Sequence, residues 1–151
     1  MTNFEVLQII MGFIGTLGFG VLFNVRGIRL IIAAIGGLLS WYLFVVFSNF
    51  ITNETINYFL VAFSVSIFAE IMARLLKTPA TVFASLSIIP LIPGSSLYYT
   101  MAYAFESDLS NFLIKAVDTL KLASALALGI ITAITFTKIF FNVFNFKQVK
   151  K

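Results

Sequence analysis

The residue types that bear most directly on chemistry lie in Ile89-Pro90-Leu91-Ile92-Pro93-Gly94-Ser95-Ser96-Leu97-Tyr98-Tyr99. Each proline removes a backbone donor and clashes with the turn before it. Pro90 and Pro93, followed by Gly94, therefore break the apolar run Ala80 to Phe105 near its middle, leaving half-helices of about 80–89 and 95–105. Irregular backbone at membrane depth is tolerated where protein or a water-filled cavity surrounds it. The N-terminal end of the second half-helix offers unpaired N–H groups and a partial positive charge, which suit a carboxylate. Ser95 and Ser96 fall in that first turn, and Tyr98 and Tyr99 follow one turn on. The candidate substrate-binding set is thus Pro90, Pro93, Gly94, Ser95, Ser96, Tyr98 and Tyr99. The competing reading is a proline kink used only for packing.

Charges inside apolar runs are costly and mark either a pathway or a pair. Glu70 and Arg74 are four apart, on one helical face. They read either as an interfacial ion pair or as a proton carrier and gate. Lys77 follows them, and Asn24-Val25-Arg26-Gly27-Ile28-Arg29 forms a basic turn. Asn24 and Arg26, with Glu70, Arg74 and Lys77, make up the candidate coupling or gating set; the plainer role of the basic turn is a membrane anchor. Asp118 between Lys115 and Lys121 reads as a solvated helix face.

Enzyme chemistry is poorly served. The chain has no histidine and no cysteine, which removes the commonest general base and metal ligand, the thiol nucleophile and the thiolate metal site. Ser95 follows a glycine, but nothing in the sequence brings it to Lys77 as a Ser–Lys pair. The expectation is no catalytic residue, no metal and no cofactor.

The elements that position these residues follow from composition. Of 151 residues, 60% are hydrophobic and 11% charged. So few charges cannot cover a water-facing surface, and disorder needs the opposite balance. A spanning helix takes about 20 apolar residues, so the expected fold is an all-α polytopic membrane bundle in a single domain, 1–151. Its five spans run approximately 4–23, 30–50, 58–76, 80–105 (broken at Pro90 to Gly94) and 122–141, with an amphipathic extension over 109–121. The first run lacks a basic leader and carries Glu5, unlike a cleavable signal peptide. Small residues on spans one, two and five are expected to serve as assembly surfaces. Trp41 and Tyr42 fit either an interface or the bundle interior.

Alternating the breaks gathers Arg26, Arg29, Arg74, Lys77, Lys147, Lys150 and Lys151 on one side, and Glu5, Glu54, Glu106 and Asp108 on the other. Lys115 joins the second group if the last helix begins outside the membrane. The positive-inside rule makes the first side cytoplasmic, with the N-terminus outside and the C-terminus inside. Basic residues sit at the ends of apolar runs and form no clustered face, which excludes a nucleic-acid partner.

Three segments resemble the threonine/serine exporter family. Phe19-Gly20-Val21-Leu22-Phe23-Asn24-Val25-Arg26 is similar to its GF…FNV segment, and Glu70-Ile71-Met72-Ala73-Arg74 through Lys77-Thr78-Pro79-Ala80-Thr81-Val82-Phe83 to its E-x-x-AR…K-x-PATVF stretch. Ile88-Ile89-Pro90-Leu91-Ile92-Pro93-Gly94, with Tyr98-Tyr99-Thr100-Met101, is similar to its IIPLVPG…YYTM core. Ser95-Ser96 stands where many relatives carry further glycines. The chain resembles the small, half-length branch, equivalent to the second half of the long exporters. That resemblance implies a larger partner subunit in the inner membrane and export of threonine, serine or a dicarboxylate such as succinate by secondary transport. A passive channel subunit and a scaffold that stabilises the partner are the alternatives; a homo-oligomer is a further assembly open to the chain.

Overall fold

The computed structural model describes residues 2–148, with side chains as far as residue 141. The side chain of Lys147, and Lys150 and Lys151 altogether, lie outside that description. Among the described residues the chain is helical, without strands: α1 (Asn3–Leu22), α2 (Ile28–Ser48), α3 (Glu54–Leu75), α4 (Ala80–Ile88), α5 (Gly94–Phe105) and α6 (Leu109–Gln148). A 3-10 turn, Ile89–Leu91, and the extended residue Ile92 separate α4 from α5, whose axes differ by 61°. Helices α1, α2, α3 and the Leu109–Phe141 part of α6 are each long and apolar enough to cross a bilayer, and the bent pair α4–α5 is long and apolar enough for a fifth crossing if it is one broken span.

Local signals set the helix ends. Thr2 and Glu5 close a reciprocal capping box on α1, with Thr2 N donating to Glu5 Oε2 at 2.8 Å. The Asn53 carboxamide oxygen accepts from Thr55 N at 3.0 Å. That cap starts α3 at Glu54, four residues before the apolar run does. Three helices stop in the same way. Asn24, Lys77 and Ser107 adopt left-handed backbone with φ of 57°, 49° and 58°. The next amide in each case reaches back to an unpaired carbonyl: Val25 to Gly20 at 2.9 Å, Thr78 to Ala73 at 3.0 Å and Asp108 to Tyr103 at 3.1 Å. The expected extension 109–121 and span 122–141 form one uninterrupted helix, because nothing between Leu109 and Phe141 breaks it.

Helix α1 packs on α2, α2 on α4 and α3, α3 on α6 and α4, and α5 chiefly on α6. Close approach depends on small residues. Gly37 takes the Thr16 side chain, and Gly36 takes Ser87. A Cβ on Gly129 would stand 2.6 Å from the Phe59 carbonyl oxygen. This corrects the expectation that these stripes face other subunits. The α2 and α6 stripes are used up inside the chain, with Ala33 and Ala133 fully buried; on α1, Gly15 and Gly18 face open space. Trp41 turns toward the bundle, stacking on Phe44 at 5.2 Å, whereas Tyr42 is exposed.

Helices α3 and α6 run parallel. Leu122 packs in one cluster with Tyr58, Gly129 abuts Phe59, Phe136 meets Phe63 at 6.3 Å, and the Arg74 guanidinium lies 4.2 Å from the Phe141 ring centre. The α4–α5 pair therefore returns the chain from the Leu75 end of α3 to its Glu54 end before α6 begins.

Candidate functional site

The break between α4 and α5 opens on a cavity of about 330 Å³ at the Glu54 end of the α3–α6 seam. Helix α3 contributes Glu54, Thr55 and Tyr58, the break contributes Pro93, Ser95, Ser96 and Tyr99, and α6 contributes Lys115, Asp118, Lys121 and Leu122. Pro93 caps α5 without any side-chain hydrogen bond to its first turn. The bonded amides nearest the break are those of Gly94 and Leu97, so the N–H groups of Ser95 and Ser96 have no partner among the described residues. A helix end left in this way carries a partial positive charge.

Side chains tie the half-helix to α6. Thr119 Oγ1 lies 3.0 Å from Ser96 Oγ and 3.1 Å from Thr100 Oγ1. Along the rim Lys121 Nζ sits 3.4 Å from Asp118 Oδ1, with both side chains about half exposed, while Lys115 makes no ion pair among the described residues. Two ammonium groups and two free amides thus face two carboxylates, Glu54 and Asp118. The set can hold a small molecule's carboxylate at the cations and its ammonium at the acids.

The candidate residues divide among three places. Pro93, Ser95, Ser96 and Tyr99 share this cavity. Tyr98 points away and is 69% exposed, its ring against Tyr99 at 5.5 Å. Pro90 lines a different, apolar cavity with Gly12, Thr16 and Trp41. Gly94 has a negative φ and nothing within 4 Å of where a Cβ would stand, so its role is neither left-handed backbone nor close contact. Asp118 is half solvated as expected, but it also faces the half-helix. Lys115, Asp118 and Lys121, three apart, mark one face of a helix; that spacing was the available signal. Thr55, Tyr58 and Thr119 gave none.

At the other end of the seam, Arg74 Nη1 donates to Glu70 Oε2 at 2.6 Å and to the Glu70 carbonyl at 2.7 Å. Glu70 is buried, 8% exposed. Lys77 supplies the left-handed residue that closes α3, and Asn24 does the same for α1. Arg26 Nε donates to Asn24 Oδ1 at 2.9 Å, in an exposed pair. Among the described residues no cluster of three or more acidic, cysteine or histidine side chains could hold a metal.

A bundle of this kind, apolar on its outer faces and interrupted by a broken helix that opens on a charged cavity, defines a multi-pass membrane protein. The chain belongs to the threonine/serine exporter family: the family model described as "Threonine/Serine exporter, ThrE" matches residues 8–136. That stretch takes in most of α1, all of α2 to α5 and most of α6. Searches of curated proteins and of solved structures return no match.

Proposed function

We propose that this chain is a subunit of a secondary exporter for small carboxylate-bearing metabolites, threonine and serine or a dicarboxylate such as succinate. It works with a larger membrane subunit in the cell membrane, its N-terminus outside and its C-terminus cytoplasmic. One observation carries the reading: the uncapped first turn of α5 and the ammonium groups of Lys115 and Lys121 converge on one cavity. At a partly exposed rim such groups attract a carboxylate, with part of the attraction screened by solvent. A volume of about 330 Å³ suits an amino acid or a four-carbon diacid. Alternation of access then needs a partner, because the chain's own helices leave the outer face of α5 uncovered. No covalent step is assigned to any residue.

Efflux from proteoliposomes containing this chain, with and without its partner, tests the proposal across a panel of amino acids and dicarboxylates. The expected result is efflux that needs both subunits and depends on an imposed ion gradient. Efflux indifferent to any gradient would identify a channel subunit. Full efflux by the partner alone would reduce this chain to a scaffold.

A further inference from the structure

A second cavity, of about 390 Å³, lies between α3, α4 and α6 at the opposite end of the seam from the first. Ser66, Glu70, Thr81, Ser85 and Lys138 are its polar residues. Three features set it apart from a packing void. The Ser66 hydroxyl is fully buried and has no hydrogen-bond partner among the described residues, although serines in helices usually bond the carbonyl one turn back. An unsatisfied buried hydroxyl normally marks a missing polar partner. Glu70 gives only Oε2 to Arg74, which leaves Oε1 without a partner among the described residues. Lys138 approaches from α6 and makes no ion pair among the described residues. Opposite charges and an unpaired hydroxyl lining one cavity match the two ends of a zwitterion.

An apolar layer separates this cavity from the one at Glu54. Val61, Val65, Leu91, Leu122 and Leu126 form a single buried cluster. Tyr58 and Leu122 of that cluster line the first cavity, and Ile88 and Ile130, packed against it, line the second. Between Tyr58 and Ser66 the helix rises by about 12 Å. Leu91 belongs to the 3-10 turn of the broken helix, so movement at Pro90 and Pro93 acts directly on this layer.

We infer that the Glu70–Lys138 cavity is a second substrate site on the same path, taking the ammonium of an α-amino acid at Glu70 and its carboxylate at Lys138. Leu91 and its neighbours form the layer between the two sites. This inference rests on the transport reading of the first cavity.

The chain has no cysteine, so single-cysteine variants report cleanly. Ser85→Cys for this cavity and Ser95→Cys for the first are labelled with a thiol reagent in native membrane vesicles, with L-serine, succinate or propylamine present. L-Serine should slow labelling of Ser85→Cys several-fold, and succinate and propylamine should not. Adding either Glu70→Gln or Lys138→Gln should abolish that protection. Protection by L-serine at Ser95→Cys but not at Ser85→Cys overturns the second site and leaves the transport reading standing. No protection at either position, with no L-serine efflux, overturns both. Protection at Ser85→Cys by succinate as well, or protection that survives Lys138→Gln, overturns the zwitterion assignment.

Discussion

Lys115 is half-buried at the rim of the first cavity and pairs with no carboxylate among the described residues. Its charge is therefore free for a ligand. Replacing it by glutamine keeps much of the length and removes the charge. For a charge-assisted bond discounted for partial exposure, the expected loss is about 1–2 kcal/mol, or roughly five- to thirtyfold in affinity. Binding of radiolabelled L-serine and succinate to membranes carrying Lys115→Gln checks this, and unchanged affinity for both would remove Lys115 from the site. Asp108 makes a separate, pH-dependent prediction. The Asn111 side-chain amide, at 2.7 Å, and then its backbone N–H hold the Asp108 carboxyl below the usual carboxylate range. A folded-state pKa lowered in this way stabilises the fold above the unfolded value, about 3.9, and the contribution disappears as pH falls through the folded one. Asp108→Asn, still a good cap, should leave thermal stability in detergent unchanged at neutral pH and flatten its decline below about pH 4. At this scale the sequence was half legible. Proline spacing exposed Ser95 and Ser96, since the break is a local backbone event. Glu54, Lys115 and Asp118 join them only through the α3–α6 packing, which no local pattern encodes.

Helices α3 and α6 meet through Gly129, where a Cβ would collide with the Phe59 carbonyl oxygen and the Ala62 side chain. Backbone cannot yield as a flexible side chain can. Gly129→Val should therefore push the helices apart and destabilise the fold by about 1–3 kcal/mol, as overpacking does. Gly94→Val is the contrast. Its site is open and its φ negative, so it should leave the unfolding midpoint close to that of the unsubstituted protein. Unfolding in SDS or urea compares the two, and equal midpoints would refute the close-packing account of Gly129. Gly94 does not line the cavity, so Gly94→Val should also leave efflux close to normal. The elements themselves were readable because each ends on a local device: Asn53 as a cap, Pro79 before α4, Asn24 in left-handed backbone. The small-residue stripes misled, since composition shows that a face permits close approach without showing which helix approaches it.

The parallel course of α3 and α6 constrains the whole molecule. Both begin at the Glu54 end, so Glu106, just before α6, belongs on the same side as Glu54. The broken pair α4–α5 must then carry the chain across, even though α5 alone buries no residue and packs chiefly on α6. Its exposed apolar side chains, Leu97, Met101 and Phe105 among them, suit lipid or a neighbouring subunit and do not suit water. The charge pattern reaches the same topology independently. Arg26, Arg29 and Lys77 fall at one end, and Glu54, Glu106 and Asp108 at the other, where Lys115 and Lys121 also lie. Neutral single-cysteine positions test it: Thr52→Cys beside Glu54, Ala104→Cys at the end of α5, and Thr78→Cys at the α3–α4 turn. An impermeant thiol reagent applied to intact cells should label Thr52→Cys and Ala104→Cys and spare Thr78→Cys until the membrane is opened. If Ala104→Cys instead behaves like Thr78→Cys, α4 and α5 fold back as a re-entrant hairpin. Helices α3 and α6 would then have to run antiparallel, and the contacts of Phe136 with Phe63 and of Arg74 with Phe141 could not coexist with that labelling. The outcome therefore tests the helix packing as well as the topology.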